Sequence, residues 1–390
     1  MYDKQILNLH FSQLLKAWEK SKHNNYSDRR KKSYQDSLNE LFTCLKNDDF
    51  ENLNPNQIQE RSIIINFFFQ SLGILDYSTL NQFPFEIIYC LDHALDDWIS
   101  DNDKYLIVTS FVNDYAGYSF DGRLALVDDY YEIIKQVYNI VFEYRLIQIN
   151  LPKFLARDYF SNTVLYHELG HFIDHKYKIS ESLLYQLANN LDNGTYTDDS
   201  LKCIQKLFPF NILDQNNSPF FLSHLKEYVS DIFASQYIGK SSNYFLNYIT
   251  GYSNLNYTSS SHPSTTNRND LVTDFLSNVD NILVKEIVGA FASITNVNQV
   301  NIKFRELKND EILNLIPPAV NSRQELSSLF LLIWEIFNTY DHQIEKNNNF
   351  GFQLKPSKTY EILNNLIEKS ISNFIICDNW EKTKDVLNKK

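Results

Sequence analysis

Glycine and proline are scarce, nine of each in 390 residues, about 5% of the chain where roughly 12% is average. Little therefore interrupts helices. Cysteine is scarcer still: Cys44, Cys90, Cys203 and Cys377 share no short spacing and form no CxxC pair. This argues against a zinc ribbon or a disulfide framework and fits a reducing, cytoplasmic setting. Positive charge is in deficit, with 36 Lys plus Arg against 48 Asp plus Glu and a net charge of −12. A general nucleic-acid binder, which needs clustered cations against phosphate, is disfavoured. No apolar run reaches the 18 or so residues of a membrane span, so no membrane partner is expected. The most apolar stretches, 62–75 and 328–337, read as buried helices. The N-terminal MYDKQILNLHFSQLLKAWEK is charged throughout and has no apolar centre, unlike a secretory signal.

What is present is a globular composition, 43% hydrophobic with 25 Tyr and 28 Phe. Residues 1–100 read as helices, with apolar positions at Leu38, Leu41, Phe42 and Leu45, then at 63–69 and 85–98. Arg29, Arg30, Lys31 and Lys32 read as a solvated helix start, with an anionic partner as the alternative. Strand patterns occupy 105–112 and 144–150, around an ambiguous apolar stretch at 131–142. From Asp158 helices return, broken at 193–199, 214–219 and 259–264. Pro317 and Pro318 precede a long apolar helix at 324–340, and Asn347, Asn348 and Asn349 precede the last helix or two. The expectation is an α+β, predominantly helical chain in three parts. These are a helical N-terminal region (1–100), a core with a small mixed sheet and two metal-binding helices (101–295), and a helical C-terminal region (296–390).

The chemistry is concentrated in Leu165-Tyr166-His167-Glu168-Leu169-Gly170-His171, a His-Glu-x-x-His pattern. Histidines four apart share a helix face, so two imidazoles can grip one metal while Glu168 reaches its water. With 9 His and 19 Glu in the chain, about 0.01 such matches are expected by chance. Asp158 is placed to cap this helix, and Leu165, Leu169 and Phe172 form an apolar stripe opposite the histidines. A hydrolytic zinc site takes three protein ligands and leaves one position open. The extended pattern with a third histidine is absent, because Asp174 and Tyr177 stand at its Gly and His positions. His175 lies two turns beyond His167, about 12 Å along the axis, and reads as a surface or outer residue. The better third ligand is Glu227, with Asp231 four residues later to orient a ligand imidazole. Small Ala234 is expected to admit a close approach of the two helices, and His224 is a rival ligand.

HELGH followed by Glu-x-x-Ser-Asp resembles the gluzincin metallopeptidases, including their thermolysin branch. Ser261-His262-Pro263-Ser264-Thr265-Thr266-Asn267-Arg268 resembles a segment of HtpX-type and Oma-type peptidases, and soluble ImmA/IrrE-type proteins are comparable neighbours. The likeness covers roughly residues 160–268. It implies a zincin core holding one Zn2+ through His167, His171 and Glu227, with Glu168 as general base, Asp231 behind a ligand and His262 as oxyanion donor. A helix start at His262-Pro263, with Arg268 bonded to a carboxylate or carbonyls of the fold, is the alternative for that segment. In such folds the strand before the histidine helix, here 144–150, is an edge able to hold an extended peptide; an interior strand is the plain alternative. The implied function is zinc-dependent peptide-bond hydrolysis on a restricted set of protein or peptide substrates, of a regulatory or defence type. A regulatory or binding protein built on an inactive zinc-peptidase scaffold is the competing reading.

Overall fold

The structure, a computed structural model, describes residues 2–26, 28–76, 78, 85–100, 104–114, 117–208, 217–251, 254–295 and 299–388. Helix accounts for 70% of it, beside one small three-stranded mixed sheet. The α+β, predominantly helical class is therefore what the chain adopts. Its residues divide into two compact units, 1–84 with 99–156 and 85–98 with 157–390, rather than three consecutive regions.

The first unit holds the helices Tyr2–Ser21, Arg29–Lys46 and Pro55–Asp76. Their starts are locally encoded. Asp28 accepts from the Arg30 N–H, and Asn54 and Gln57 exchange side-chain to main-chain bonds ahead of Pro55 in a capping box. Leu7, Leu14, Leu38, Ile64 and Phe67 are fully buried between them, and Trp18 packs edge-on against Phe68 at 5.4 Å. The basic run at 29–32 is a helix start: Arg30 pairs with Asp28 at 2.7 Å, and Lys31 is buried.

The sheet belongs to this first unit and not, as expected, to the region of the metal-binding helices. Strand β1, Tyr105–Val112, runs parallel to β3, Arg145–Pro152, and β2, Ser119–Asp121, pairs antiparallel with Gln148 to Asn150 of β3. The order β1-β3-β2 makes β3 the central strand. The edge reading of 144–150 is thereby overturned at 148–150, the part of β3 that β2 covers. The physical reason is long-range pairing: β2 closes the second side of β3 at 148–150, a contact that the local pattern of 144–150 does not encode. The ambiguous stretch at 131–142 falls mostly in the helix Asp128–Tyr138, which Asn139 ends in the left-handed conformation.

The second unit has no strand among its described residues. Its centre is the long helix Ser218–Ile238, buried almost without a break from His224 onward. Around it lie, among others, Phe85–Asp96, Val164–Tyr177, Thr265–Leu276, Arg323–Glu335 and Pro356–Asn388. The apolar helix after the proline pair runs from Arg323 to Glu335 and passes into a π-helical turn at Ile336–Tyr340, and Ser322 caps its start. Of the break at 214–219, residues 214–216 lie outside the described residues. Among the described residues, no helix is long and apolar enough to cross a membrane, and all four cysteines are free.

Candidate metal centre

The histidine helix, Val164–Tyr177, enters from a short turn at Ser161–Thr163. Asp158 caps that turn and not the helix itself, accepting from the N–H groups of Phe160 and Ser161. The helix is buried on nearly all sides, Leu165 through Gly170 included, so it has no broad solvent face opposite the apolar stripe. It ends at Lys178, left-handed with φ 54°, whose N–H returns to the Asp174 carbonyl, and His175 is exposed.

This helix meets the glutamate helix, Ser218–Ile238, backbone to backbone. A Cβ at Gly170 would lie 2.8 Å from Ser230 Cα and 3.1 Å from the Ser230 carbonyl oxygen, distances that ordinary side chains do not tolerate. The close approach is thus made at Gly170 and Ser230, where Ala234 was expected to provide it. It brings His167, His171 and Glu227 together, with one ligand atom from each lying within 4.8 Å of the others. His167 Nε2 stands 3.4 Å from Glu227 Oε2, and His171 Nε2 stands 3.5 Å from Oε1 of the same carboxylate. Two donors each about 2.0–2.1 Å from a tetrahedral zinc stand about 3.3–3.4 Å apart. Each imidazole-to-carboxylate distance is close to that value, and the three donor atoms lie near enough together for one divalent cation to draw them in.

The other ring nitrogens are occupied from the glutamate helix. His167 Nδ1 lies 2.9 Å from Asp231 Oδ1, and His171 Nδ1 lies 2.9 Å from Ser230 Oγ. With Nδ1–H donating in each ring, both Nε2 lone pairs are left facing Glu227. One helix therefore supplies a ligand and both imidazole orienters. Arg268, on Thr265–Leu276, completes the arrangement. Its Nε and Nη2 each donate to Asp231 at 2.7 Å, and Nη1 lies 3.1 Å from Glu227 Oε2.

Charge explains why these groups tolerate burial. Burial pushes the Glu227 and Asp231 carboxyls toward protonation, but Arg268, aided by the histidines, outweighs it and holds both below the usual carboxylate range. Burial also opposes a charged His167, yet Asp231 and Glu227 prevail and raise its pKa from 6.5 to about 9. With neutral imidazoles, Glu227 and Asp231 carry two negative charges and Arg268 returns one, which leaves the pocket net negative. A cation suits that negative balance, which is a second respect in which this donor set fits one.

Glu168 is buried at 8% exposure and makes no hydrogen bond among the described residues. His262 lies on the loop before the arginine helix, 59% exposed, with Nε2 3.7 Å from Glu227 Oε1 and Nδ1 2.8 Å from Ser261 Oγ. His224 is outside the cluster. It is fully buried, with Nε2 3.0 Å from the Ser259 carbonyl oxygen and its pKa lowered by burial. Gly170 and Ser230 were not singled out from sequence, although both sit inside the two motifs. A glycine between two ligand histidines was the available signal. No protein-family model, curated protein or solved structure matches this chain.

Gly170→Ala is expected to cost about 1–3 kcal/mol in urea unfolding and to weaken zinc binding, because backbone must move. Gly289→Ala, on the helix Ile282–Thr295 where a Cβ meets nothing within 4 Å, should instead stabilise by about 0.5–1 kcal/mol. Similar effects at the two sites would contradict the close approach. The raised pKa of His167 also fixes a sign. Its protonated form stabilises the metal-free protein fully below 6.5, and that contribution is lost as pH rises through about 9. A metal ion bound through His167 would have to displace this proton, so apparent affinity for zinc in chelator-buffered titrations should rise with pH up to about 9, by about tenfold per unit for the one proton. A flat or falling profile would contradict it.

Proposed function

We propose that the chain is a zinc-dependent endopeptidase acting on a restricted set of protein or peptide substrates. The observation that carries this reading is the pairing of two imidazole Nε2 atoms with one buried carboxylate, at 3.4 and 3.5 Å, next to a second buried carboxylate, Glu168, that makes no hydrogen bond among the described residues. A donor set of two nitrogens and one oxygen, with both histidines oriented from behind, favours zinc over the harder cations, which take all-oxygen cages. The four unpaired cysteines suit a reducing compartment, and cytoplasmic action is part of the proposal.

A zinc ion held there supplies Lewis acidity, making a water more acidic and polarising a carbonyl. The rest falls to the chain. Glu168, adjacent to His167 in sequence and without a hydrogen bond among the described residues, accepts the proton of the attacking water and delivers it to the leaving amine. Asp231 holds the His167 ring in one tautomer, and Ser230 does the same for His171. Arg268 keeps Asp231 and Glu227 ionised and fixed. His262, on an exposed loop within 3.7 Å of Glu227, donates to the carbonyl oxygen as negative charge develops on it.

The test separates catalysis from binding. Purified Glu168→Gln protein should retain about one zinc per chain and lose peptide hydrolysis by roughly 100-fold or more. New protein N-termini should appear in cells expressing the parent and not in cells expressing the variant. Equal cleavage by both proteins would overturn the assignment of Glu168. Full zinc content with no cleavage by the parent would favour a binding scaffold instead.

A further inference from the structure

Away from the candidate metal centre, residues of the second unit line an open pocket of about 430 Å3. We propose that it binds the phosphate group of a small molecule. Lys303 lines it, with its ammonium 5.2 Å from the centre of the Trp98 ring and 5.6 Å from that of Tyr237. The ammonium is held there by Asp97, whose Oδ2 lies 3.2 Å away and also accepts from the Tyr237 hydroxyl at 2.9 Å. The Tyr237 hydroxyl in turn takes the indole N–H of Trp98 at 2.8 Å. Lys303 is thus a fixed cation, with its side chain only 13% exposed.

Arg323 and Gln324 line the same cavity, and they open the helix Arg323–Glu335. In the first turn of a helix the N–H groups have no intrahelical acceptor. The capping hydroxyl of Ser322 serves the N–H of Glu325, which leaves those of Arg323 and Gln324 to an outside acceptor. A helix start with its dipole, a guanidinium and an ammonium together make a cradle for an anion with several oxygens. Among the described lining residues Lys303 and Arg323 are the Lys and Arg cations, and Asp97 is the one carboxylate. Arg323 is 55% exposed and stands 3.9 Å from Asp96, a contact loose enough to give way to a better acceptor. Asn301 and Ser327 add neutral hydrogen-bonding groups.

The volume lies within the range of about 300–1,000 Å3 typical of small-molecule sites. It exceeds what a bare ion needs, and the Tyr237 ring and Ile302 provide apolar surface for the remainder of a ligand. The site does not depend on the metal centre. It shares the glutamate helix with it, Tyr237 lying ten residues beyond Glu227, about 15 Å along the axis.

The experiment is calorimetric titration of the full chain with inorganic phosphate, adenosine monophosphate and acetate at constant ionic strength. Saturable binding of phosphate, with none of acetate, is expected. Tighter binding of the nucleotide would identify a phosphate ester as the occupant, whereas equal affinities would identify free phosphate. Arg323→Gln, at a half-exposed position, should weaken phosphate binding by roughly 10- to 100-fold, and Arg323→Lys should recover part of it. An unchanged circular dichroism spectrum and zinc content would show that neither variant has lost the fold. Absence of saturable phosphate binding, acetate bound as tightly, or an Arg323→Gln protein that binds like the parent would overturn the proposal.

Discussion

At Gly170 the histidine helix lies so close to the glutamate helix that a Cβ would stand 2.8 Å from Ser230 Cα, and the metal centre depends on that separation. The ligand histidines flank the contact, one residue after it and three before it, while Glu227 and Asp231 flank Ser230 in the same way on the facing helix. A wider crossing would carry both imidazoles away from the carboxylate. It would also part His171 from Ser230 Oγ and His167 from Asp231, which now lie 2.9 Å apart in each case. Ligand spacing and ligand orientation thus follow from one backbone contact, which a single methyl group is enough to disturb.

Electrostatics then limits what this contact can enclose. Three carboxylates, Glu168, Glu227 and Asp231, lie at 8% exposure or less, and leaving them uncompensated in a low-dielectric interior would be costly. Arg268 offsets part of the charge by spanning Asp231 and Glu227. His167, raised to about 9, offsets more when it carries a proton. A divalent cation satisfies the same balance while releasing that proton. A metal ion bound there would therefore compete with that proton for a single buried electrostatic role.

Much of this was legible in the chain, and the division between what was and was not has a physical basis. The spacing of His167, His171, Glu227 and Asp231 is a property of single helices, where four residues always return to one face. Local chemistry therefore sufficed to nominate all four, and the scarcity of glycine and proline sufficed for a largely helical class. Pairing across the chain was harder. Strand β3 lies parallel to β1, forty residues away in register, and nothing local to 144–150 distinguishes a central strand from an edge. The placement of that sheet with the N-terminal helices, and of 85–98 with the second unit, is likewise decided by tertiary packing. Ala234 was a reasonable small residue to read as the helix contact, but the phase of two crossing helices picks Gly170 and Ser230. Asp158 has the chemistry of a cap, but its carboxylate serves the turn before the histidine helix and not the helix, because the intervening 3-10 turn at Ser161–Thr163 is not encoded in the capping residue.

The central claim is that His167, His171 and Glu227 hold one zinc ion. X-ray absorption at the zinc K-edge on the purified protein tests this most directly. A zinc ion on these ligands would give a first shell of light nitrogen and oxygen donors at about 2.0–2.1 Å, with outer-shell scattering from two imidazoles and no sulfur. A sulfur shell at about 2.3 Å, fewer than two imidazoles, or a protein that binds no zinc at all would contradict the claim.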